Sequence, residues 1–442
     1  MPDRSRFPVG EAITLADLDR DPHPWLARLR DTEPVSWLPA LNGWLVTRHD
    51  LTVIVMRDSA AFTVDDPRFS TARVVGPSML SLDGAEHGRH RAPFTRGFSR
   101  GEVHARLAAF VTDEADRLVA AMRPAGAADA RRGLAGPLAV AAVAEALGLG
   151  DTDPATVLDW YAAIVGSVSA LAGDHGPGTP WQTGIETGAG EMAPMGAGAS
   201  AAGADGRGAG AGAGEAGAGA GAAGAGEAAF GLLSARLSAV IEAVDGPPSL
   251  LADAASVQGG DAGPRLSTRE AVSNAAVLMF GGIETTEGMI GNAILHLLGH
   301  PGQLALVRAD DSLVPNAVEE SLRLEPAAAV VDRYATRDIQ LAGAAIRRGD
   351  LVTVSLAGAG RDPAVFTDPG VFDVRRHNAR AHLAFAHGPH FCLGAHLARL
   401  EAQAAVRAVL RLPGLRLDPE RPAAPRGLVF RKPPSLHLRW DR

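Results

Sequence analysis

One stretch near the carboxyl end decides the fold: Phe385-Ala386-His387-Gly388-Pro389-His390-Phe391-Cys392-Leu393-Gly394. It holds the only cysteine among 442 residues, and two glycines bracket that cysteine. Residues 395–412 follow with leucine and alanine at helical spacing, and Pro413 ends the pattern. We therefore expect Cys392 to lie just before a helix N-terminus, where free backbone N–H groups and the helix dipole favour a thiolate over a thiol.

Two other interpretations of this stretch have to be weighed. A lone cysteine is most often a small buried hydrophobic residue. A zinc site is the other alternative, because four residues of ligand type lie within ten positions: His387, His390, Cys392 and His396. No further cysteine supplies a second pair, however, and the histidine spacing matches no standard zinc pattern.

The stretch fits the pattern F-x-x-G-x-x-x-C-x-G at all four fixed positions, and it resembles the cysteine-ligand loop of cytochrome P450 enzymes. The resemblance implies haem b (iron protoporphyrin IX), with Cys392 as the thiolate ligand of the iron. It also implies a mainly α fold with minor β structure, in which a long central helix crosses the haem. Since the resemblance covers nearly the whole chain outside roughly 173–229, we expect one domain over residues 1–442.

The longest predicted helix begins at the capping box Ser267-Thr268-Arg269-Glu270 and runs to Gly299, about 32 residues or roughly 48 Å. Its flanks are apolar, but its centre reads Gly281-Gly282-Ile283-Glu284-Thr285-Thr286. Glycines and polar residues at the centre of an apolar helix conflict with helix preference, and such conflicts tend to mark functional sites. The alternative is a glycine pair that permits close helix packing, beside a glutamate on the surface. The resemblance implies that Glu284 and Thr285 relay protons to iron-bound dioxygen.

Four residues are candidates for binding the haem propionates. His87 and Arg91 are four apart, hence on one face of a helix, where two donors suit the carboxylates of a ligand; a solvated basic helix is the alternative. The resemblance implies propionate binding by both of them, and also by Arg333 and by His390.

Other matches are structural. Glu320 and Arg323 form an E-x-x-R pattern that can pair locally, and the resemblance joins Arg376 of an F-D-x-x-R pattern to this pair. The chain departs from the family in two places: Gly360 stands where asparagine is usual, and Ala386 stands where glycine is common.

Residues 184–229 are almost entirely glycine and alanine. Such a segment cannot bury enough surface to offset its ordering entropy, so we predict a flexible insertion. Its place in the chain lies between the two helices that cover the substrate channel in the resembled family.

Candidate pocket residues lie in a long predicted loop over 60–82 (Phe69, Val74, Val75 and Met79), in the small apolar run 327–331, and in the tail 428–430. A short hairpin is predicted at residues 35–47, around Leu41-Asn42-Gly43.

The composition argues against several classes of function. A net charge of −8 does not suggest a nucleic-acid partner, and one cysteine excludes an internal disulfide and fits the cytoplasm. Residues 1–30 contain no apolar run long enough for a signal peptide or a membrane anchor.

The prediction is a bacterial-type monooxygenase that inserts one oxygen atom of O2 into a hydrophobic small molecule, by hydroxylation or epoxidation. Natural-product biosynthesis is the expected setting, and ferredoxin with ferredoxin reductase are the expected electron donors. The alternatives are a peroxide-using or isomerising haem-thiolate enzyme, and a non-catalytic haem-binding sensor.

Overall fold

The computed structural model describes residues 6–173, 215–243, 248–257 and 264–442. Helices predominate in this part of the chain, and in order they are α1 (Pro8–Ala12), α2 (Leu15–Arg20), α3 (His23–Thr32), α4 (His49–Arg57), α5 (Ser70–Val75), α6 (Gly84–Thr95), α7 (Arg100–Met122), α8 (Gly136–Leu147), α9 (Pro154–Gly173), α10 (Glu215–Glu242), α11 (Leu250–Ser256), α12 (Thr268–Gly299), α13 (Pro301–Ala309), α14 (Val314–Leu324), α15 (Leu356–Gly360) and α16 (Ala395–Leu410). One turn of π-helix, Arg131–Ala135, leads into α8. The predicted mainly α class is confirmed.

The strands are short: β1 (Val35–Leu38), β2 (Gly43–Val46), β3 (Phe62–Thr63), β4 (Ala127–Asp129), β5 (Val330–Ala335), β6 (Ile339–Leu341), β7 (Ala344–Ile346), β8 (Leu351–Ser355), β9 (Arg416–Leu417) and β10 (His437–Arg439). The largest sheet has the order β1-β2-β8-β5-β3, with β2 and β8 parallel and the other pairs antiparallel. The hairpin of β1 and β2 confirms the prediction: Trp37 faces Trp44, and Asn42 takes a left-handed conformation in the turn.

Helix α12 is the centre of the helical core. Ser267 and Glu270 form the predicted capping box at its start. Residues on all sides of the helix are buried, among them Ala275, Met279 and Ile290, each with 0% exposure. A helix that is apolar all round belongs in a protein interior, and α12 packs against α8, α14 and α16.

A buried ion cluster ties α14 to the segment that precedes the cysteine loop. The Arg323 guanidinium donates to both carboxylate oxygens of Glu320, at 2.7 and 2.8 Å, and Arg376 donates to the same carboxylate at 3.0 Å. Arg323 also donates to the carbonyl oxygen of Gly360 at 2.9 Å. A Cβ atom at Gly360 would lie 2.2 Å from the carbonyl oxygen of Arg323. This close approach explains the glycine at a position where the resembled family usually has asparagine.

The glycine- and alanine-rich range 184–229 divides at residue 215. Residues 184–214 lie outside the part of the chain that the structure describes, so their predicted flexibility stays a prediction. Residues 215–229 differ from the prediction, because they form the first half of α10, which packs against α9. A Cβ atom at Gly226 would lie 2.2 Å from the Cβ of Ser167 on α9. The glycine that weakens the helix in isolation therefore lets the two helices approach closely.

The predicted loop over 60–82 contains one short helix, α5, which the weak periodicity of the sequence did not indicate. Its last residue, Val75, is buried, and its carbonyl oxygen accepts a hydrogen bond from Ser273 of α12 at 2.7 Å. Among all the residues described, no helix combines the length and the apolar character that crossing a membrane requires.

Candidate active site

The backbone around Cys392 is a tight turn. The Cys392 amide donates to the carbonyl oxygen of Phe385 at 2.8 Å, and α16 begins three residues after the cysteine. Gly388 has φ +74°, and a Cβ atom there would lie 2.7 Å from the carbonyl oxygen of Met56, so only glycine fits. Ala386 also takes a left-handed conformation, with φ +60°. An alanine side chain there crowds the backbone, which glycine would avoid.

The Cys392 thiol differs from the expectation of a thiolate. Burial raises the pKa of Cys392 and outweighs the amide of Gly394 and the charges of Arg91 and Arg399, which lower it. The sequence showed the helix N-terminus but not the depth of burial, and desolvation disfavours the charged form. Coordination to a metal ion reverses this preference, because a ligating thiol loses its proton.

Cys392 faces a cavity of about 270 Å³ that lies between the cysteine loop and the middle of α12. The cysteine loop contributes Phe391, Cys392 and Leu393 to its lining, and α12 contributes Gly281, Gly282 and Thr285. A Cβ atom at Gly282 would lie 3.2 Å from Val143 of α8, so this glycine also permits close packing of α12 against α8. The structure thus brings the two most distinctive stretches of the sequence together, although 107 residues separate Thr285 from Cys392.

Most of the remaining lining of the cavity is apolar. It includes Met79, Val143, Val277, Ala327, Ala328 and Val331. Among the predicted pocket residues, Met79 and three residues of the run 327–331 (Ala327, Ala328 and Val331) contribute to the lining, whereas Ala329 and Val330 do not. Phe69, Val74, Val75 and the tail residues 428–430 do not line it; Leu428 and Val429 are buried in a separate core cluster with Leu18 and Leu26.

The side chains of Glu284 and Thr285 have different neighbours. The Thr285 hydroxyl lines the cavity and donates to the carbonyl oxygen of Gly281 at 2.5 Å. The Glu284 carboxylate accepts a hydrogen bond from the Tyr161 hydroxyl at 2.7 Å and pairs with Lys432 at 2.6 Å. Burial would raise the pKa of Glu284, but Lys432 and Tyr161 hold it below the usual value. Neither partner was apparent from the sequence.

The predicted propionate residues gather at one edge of the site. The His87 and His390 rings lie 4.4 Å apart between centroids, and Arg91 donates to the carbonyl oxygen of Phe391 at 2.6 Å. Arg333 is buried on β5 and donates to the carbonyl oxygen of Asp332 at 2.7 Å. Arg91 and His390 line the cavity, whereas His87 and Arg333 do not.

Asp83 is a member of this edge that the sequence analysis missed. Its carboxylate accepts from His390 at 2.8 Å, from Thr63 at 2.7 Å and from the amide of Val64 at 2.9 Å. These bonds outweigh burial, which acts in the opposite direction, and hold the pKa of Asp83 below its usual value. The only signal for Asp83 in the sequence is its position four residues before His87.

Several hydrogen-bond donors at this edge lack a side-chain partner among the residues described. His87 Nε2 is fully buried and has no hydrogen-bond partner among the residues described. Burial, together with the charges of His390 and Arg91, lowers the pKa of His87 to about 4, so its ring is neutral at pH 7. Neither Arg91 nor Arg333 forms an ion pair with a carboxylate in the described part of the chain. A flat apolar group with two carboxylates at its rim fits this combination of a thiol, apolar walls and unpaired donors, and haem is such a group.

A second ion cluster orients the cysteine loop from behind. Glu319 accepts from Arg399 of α16 at 2.6 and 3.0 Å and from His382 at 3.0 Å, and its own exposure is 0%. The Arg399 guanidinium also lies 4.3 Å from the centre of the Phe385 ring. Glu319 thereby connects α14, the entrance of the cysteine loop and the helix after it. The zinc alternative has no geometric support, because no three His, Cys, Asp or Glu side chains converge within the described ranges.

Comparison with known proteins identifies the family. The model of the family described as "Cytochrome P450" matches residues 247–437. The chain is 34% identical to cytochrome P450 monooxygenase PikC of Streptomyces venezuelae, over 96% of this chain and 92% of the relative. It is 32% identical to nocardicin C N-oxygenase of Nocardia uniformis subsp. tsuyamanensis, over 99% of both chains. The solved structure of CalO2 superimposes with a TM-score of 0.78 at 30% identity, over 96% of this chain and 97% of that one. Together with the cysteine that faces the centre of α12, these likenesses show that the chain belongs to the cytochrome P450 family.

Proposed function

We propose that this haem-thiolate monooxygenase binds its haem iron through Cys392 and oxidises a hydrophobic small molecule in the cavity beneath α12. The observation that carries the proposal is that Cys392 and Thr285 line the same cavity. A thiolate ligand donates electron density to the haem and so favours cleavage of the O–O bond of dioxygen.

The residues at the edge of the cavity hold the haem. His87, Arg91, Arg333 and His390 bind the propionates by charge-assisted hydrogen bonds. Asp83 keeps His390 in place through its bond at 2.8 Å. The unpartnered Nε2 of His87 supports this role, because buried polar atoms are rarely left without a hydrogen bond.

Glu284 and Thr285 manage the protons of the reaction. Thr285 lines the cavity, where its hydroxyl would hold a proton and pass it on, directly or through a water molecule. Glu284, which is ionised beside Lys432 and Tyr161, would take up a proton from its surroundings and pass it to Thr285. The apolar walls around Val277, Ala327 and Val331 exclude bulk water from the reacting atoms.

The substrate is a hydrophobic small molecule, because aliphatic side chains such as Val277, Ala327 and Val331 form much of the cavity lining. Natural-product biosynthesis is the setting that we propose. It is supported by the likeness to nocardicin C N-oxygenase over nearly the whole chain.

We propose that electrons come from a separate ferredoxin and its reductase, because one cysteine cannot hold an iron–sulfur cluster that requires four. A single free cysteine also suits the reducing cytoplasm. We further propose that the glycine- and alanine-rich stretch within 184–229 is a flexible insertion in the region that covers the substrate channel.

The first test is the carbon-monoxide difference spectrum of the dithionite-reduced holoprotein. A strongly red-shifted Soret band is expected for thiolate ligation by Cys392, and Cys392→Ser should abolish that band. Screening of hydrophobic compounds for spin-state shifts would then identify ligands of the cavity. A histidine-type band in the wild-type protein, or no bound haem, would contradict the proposal.

A further inference from the structure

Residues 76–82 lie between α5 and α6, and they contribute Met79 and Leu80 to the lining of the cavity. They form turns without a helix or a strand of their own. Met79 is buried, whereas Leu80 is 39% exposed. A wall of this kind is held in place by its contacts with neighbouring elements, because it has few regular hydrogen bonds of its own.

Two adjacent polar side chains of α12 hold the backbone of this wall. The Ser273 hydroxyl donates to the carbonyl oxygen of Val75 at 2.7 Å. Asn274 Oδ1 accepts a hydrogen bond from the amide of Met79 at 2.8 Å. Both side chains are buried, and Asn274 has an exposure of 0%. Asn274 therefore ties the cavity-lining residue Met79 to the central helix.

The orientation of the Asn274 amide follows from its backbone partners. Its oxygen faces the Met79 N–H, and its nitrogen donates to the carbonyl oxygen of Glu270 at 2.8 Å. The same nitrogen lies 3.0 Å from Nδ1 of His90 on α6. Because an amide nitrogen only donates, Nδ1 of His90 accepts this bond, and the neutral ring carries its proton on Nε2.

The surroundings of His90 keep its ring neutral at pH 7. His90 is 1% exposed, and burial lowers its pKa from the ordinary value of 6.5. The Arg89 guanidinium, 3.2 Å from Nε2, acts in the same direction, whereas Glu270 Oε1 at 3.5 Å acts against it. Helix α11 also packs against α6, and its one titratable residue, Asp253, pairs with Arg106 of α7. The titratable and charged groups that face the ring are Glu86, His87 and Arg89 of α6 and Glu270 of α12.

A second proton on His90 is incompatible with this arrangement. It would occupy Nδ1 and face the Asn274 nitrogen, so that two donors would meet in a buried place. If the Asn274 amide turned over, its oxygen would accept from His90, but its nitrogen would then face the Met79 N–H. The Met79 amide would lose its acceptor, which is costly in a buried site. Protonation of His90 and the bond between Asn274 and Met79 therefore exclude each other.

We propose that Asn274 and His90 are positioning residues for this cavity wall: neutral His90 orients Asn274 toward Met79, and protonation of His90 breaks the Met79 bond. A wall without this bond binds apolar ligands more weakly, because ordering it costs part of the binding free energy. The inference rests on the proposed function only in taking the cavity as the place where the ligand binds.

The test is hydrogen–deuterium exchange of residues 76–82 in the haem-loaded protein between pH 7.5 and pH 5. Exchange is followed by mass spectrometry and corrected for the intrinsic effect of pH. The amides of Ser78, Leu80 and Ser81 bond within the wall, so the Met79 amide reports the contact with α12. We expect its protection to fall about fivefold as the pH decreases below 6.5, the effect of about one hydrogen bond.

Three variants separate the roles of the two residues. His90→Gln offers Asn274 a neutral amide oxygen in place of Nδ1, so the protection of Met79 should stay high at every pH. Asn274→Ala removes the acceptor, so protection should be about fivefold lower at every pH. Ser273→Ala is the matched control, because it removes the other bond to this wall and should leave the pH dependence at Met79 unchanged.

Binding of an N-aryl-1,2,4-triazole measures the consequence for ligands of the cavity. Such a compound coordinates haem iron and does not titrate between pH 5 and pH 7.5. Its dissociation constant, measured by absorption titration, should rise about fivefold from pH 7 to pH 5 in the wild type, in proportion to the lost hydrogen bond. In His90→Gln the dissociation constant should not depend on pH.

Three results would overturn the inference: the same pH dependence of exchange in His90→Gln as in the wild type, full protection of Met79 in Asn274→Ala, or a triazole affinity that ignores pH while exchange responds to it. Failure of the proposed function is distinguishable from these results. In that case the wild type lacks the red-shifted carbon-monoxide band and binds no triazole at any pH, while exchange at Met79 still decides the roles of Asn274 and His90.

Discussion

Arg399 donates to both carboxylate oxygens of Glu319, at 2.6 and 3.0 Å, across 80 residues of sequence. The pair joins α14 to the helix that follows the cysteine, so it fixes the direction from which Cys392 enters the cavity. Burial would raise the pKa of Glu319, but His382 and Arg399 lower it to about 2. The carboxylate is therefore charged at neutral pH, although it is inaccessible to solvent.

Arg399→Ala should leave this charge buried with only His382 at 3.0 Å and the more distant Arg380 at 3.9 Å among the residues described. Removal of one member of a buried ion pair costs about 3–5 kcal/mol, and we expect that loss in urea unfolding of the holoprotein. The fraction of the carbon-monoxide spectrum in the red-shifted band should fall as well. Arg407→Ala is the matched control, because Arg407 of the same helix pairs with Asp311 at an exposed site; its effect should be below about 1 kcal/mol. Equal losses in both variants would contradict a special role for Glu319.

Ala386→Gly should stabilise the protein by about 1 kcal/mol, because φ at this position is +60° and an L-residue is strained there. Urea unfolding at pH 7 measures the change. Ala404→Gly within α16 should act in the opposite direction, since glycine lowers helix stability by about 1 kcal/mol. A loss of stability in Ala386→Gly would show that neighbouring contacts outweigh the strain.

Thr285→Ala should uncouple electron use from product formation, because it removes the hydroxyl that faces the cavity. We expect more hydrogen peroxide per NADPH oxidised, measured with a surrogate ferredoxin system. Thr285→Ser keeps the hydroxyl and should stay close to the wild type. Unchanged peroxide release in Thr285→Ala would contradict the relay.

The haem-free protein should lose stability in acid through His87. The folded pKa of about 4 lies below the ordinary value of 6.5, so the unfolded chain binds a proton first as the pH falls. Stability is complete above pH 6.5 and is lost between about 6.5 and 4, by about 2 kcal/mol at pH 5. In His87→Gln, this loss of stability in acid should be absent. Urea unfolding of both proteins at pH 7 and pH 5 measures how much stability each one loses. Identical acid slopes in both proteins would refute the assignment.

Glu401 should destabilise the fold increasingly as the pH rises. Its Oε2 is buried without a hydrogen-bond partner among the residues described, and burial raises its pKa well above the ordinary value. The unfolded chain therefore releases the proton first, and folding stability falls as the pH increases above about 4.5. Glu401→Gln should raise the melting temperature, with a gain that is larger at pH 8 than at pH 6. A gain that does not depend on pH would contradict a protonated Glu401.

Much of the fold and the principal site residues could be predicted from short stretches of sequence. The capping box at Ser267, the hairpin around Asn42 and the Glu320–Arg323 pair all appear in the structure. Each depends on residues only a few positions apart. The partners of Glu284 could not be predicted in this way, because Tyr161 and Lys432 are 123 and 148 residues from it.

The sequence by itself singled out the residues that we propose carry the chemistry: the one cysteine, its two glycines, and the acid and alcohol in the middle of a long apolar helix. The tertiary structure determined the protonation states of Cys392 and Glu284. The thiol of Cys392 has a raised pKa because the fold buries it, although the local helix N-terminus favours the thiolate. Glu284 is ionised because distant elements place Lys432 beside it. Turns and helix caps depend on backbone geometry over a few residues, whereas desolvation and ion pairing depend on which elements meet in space.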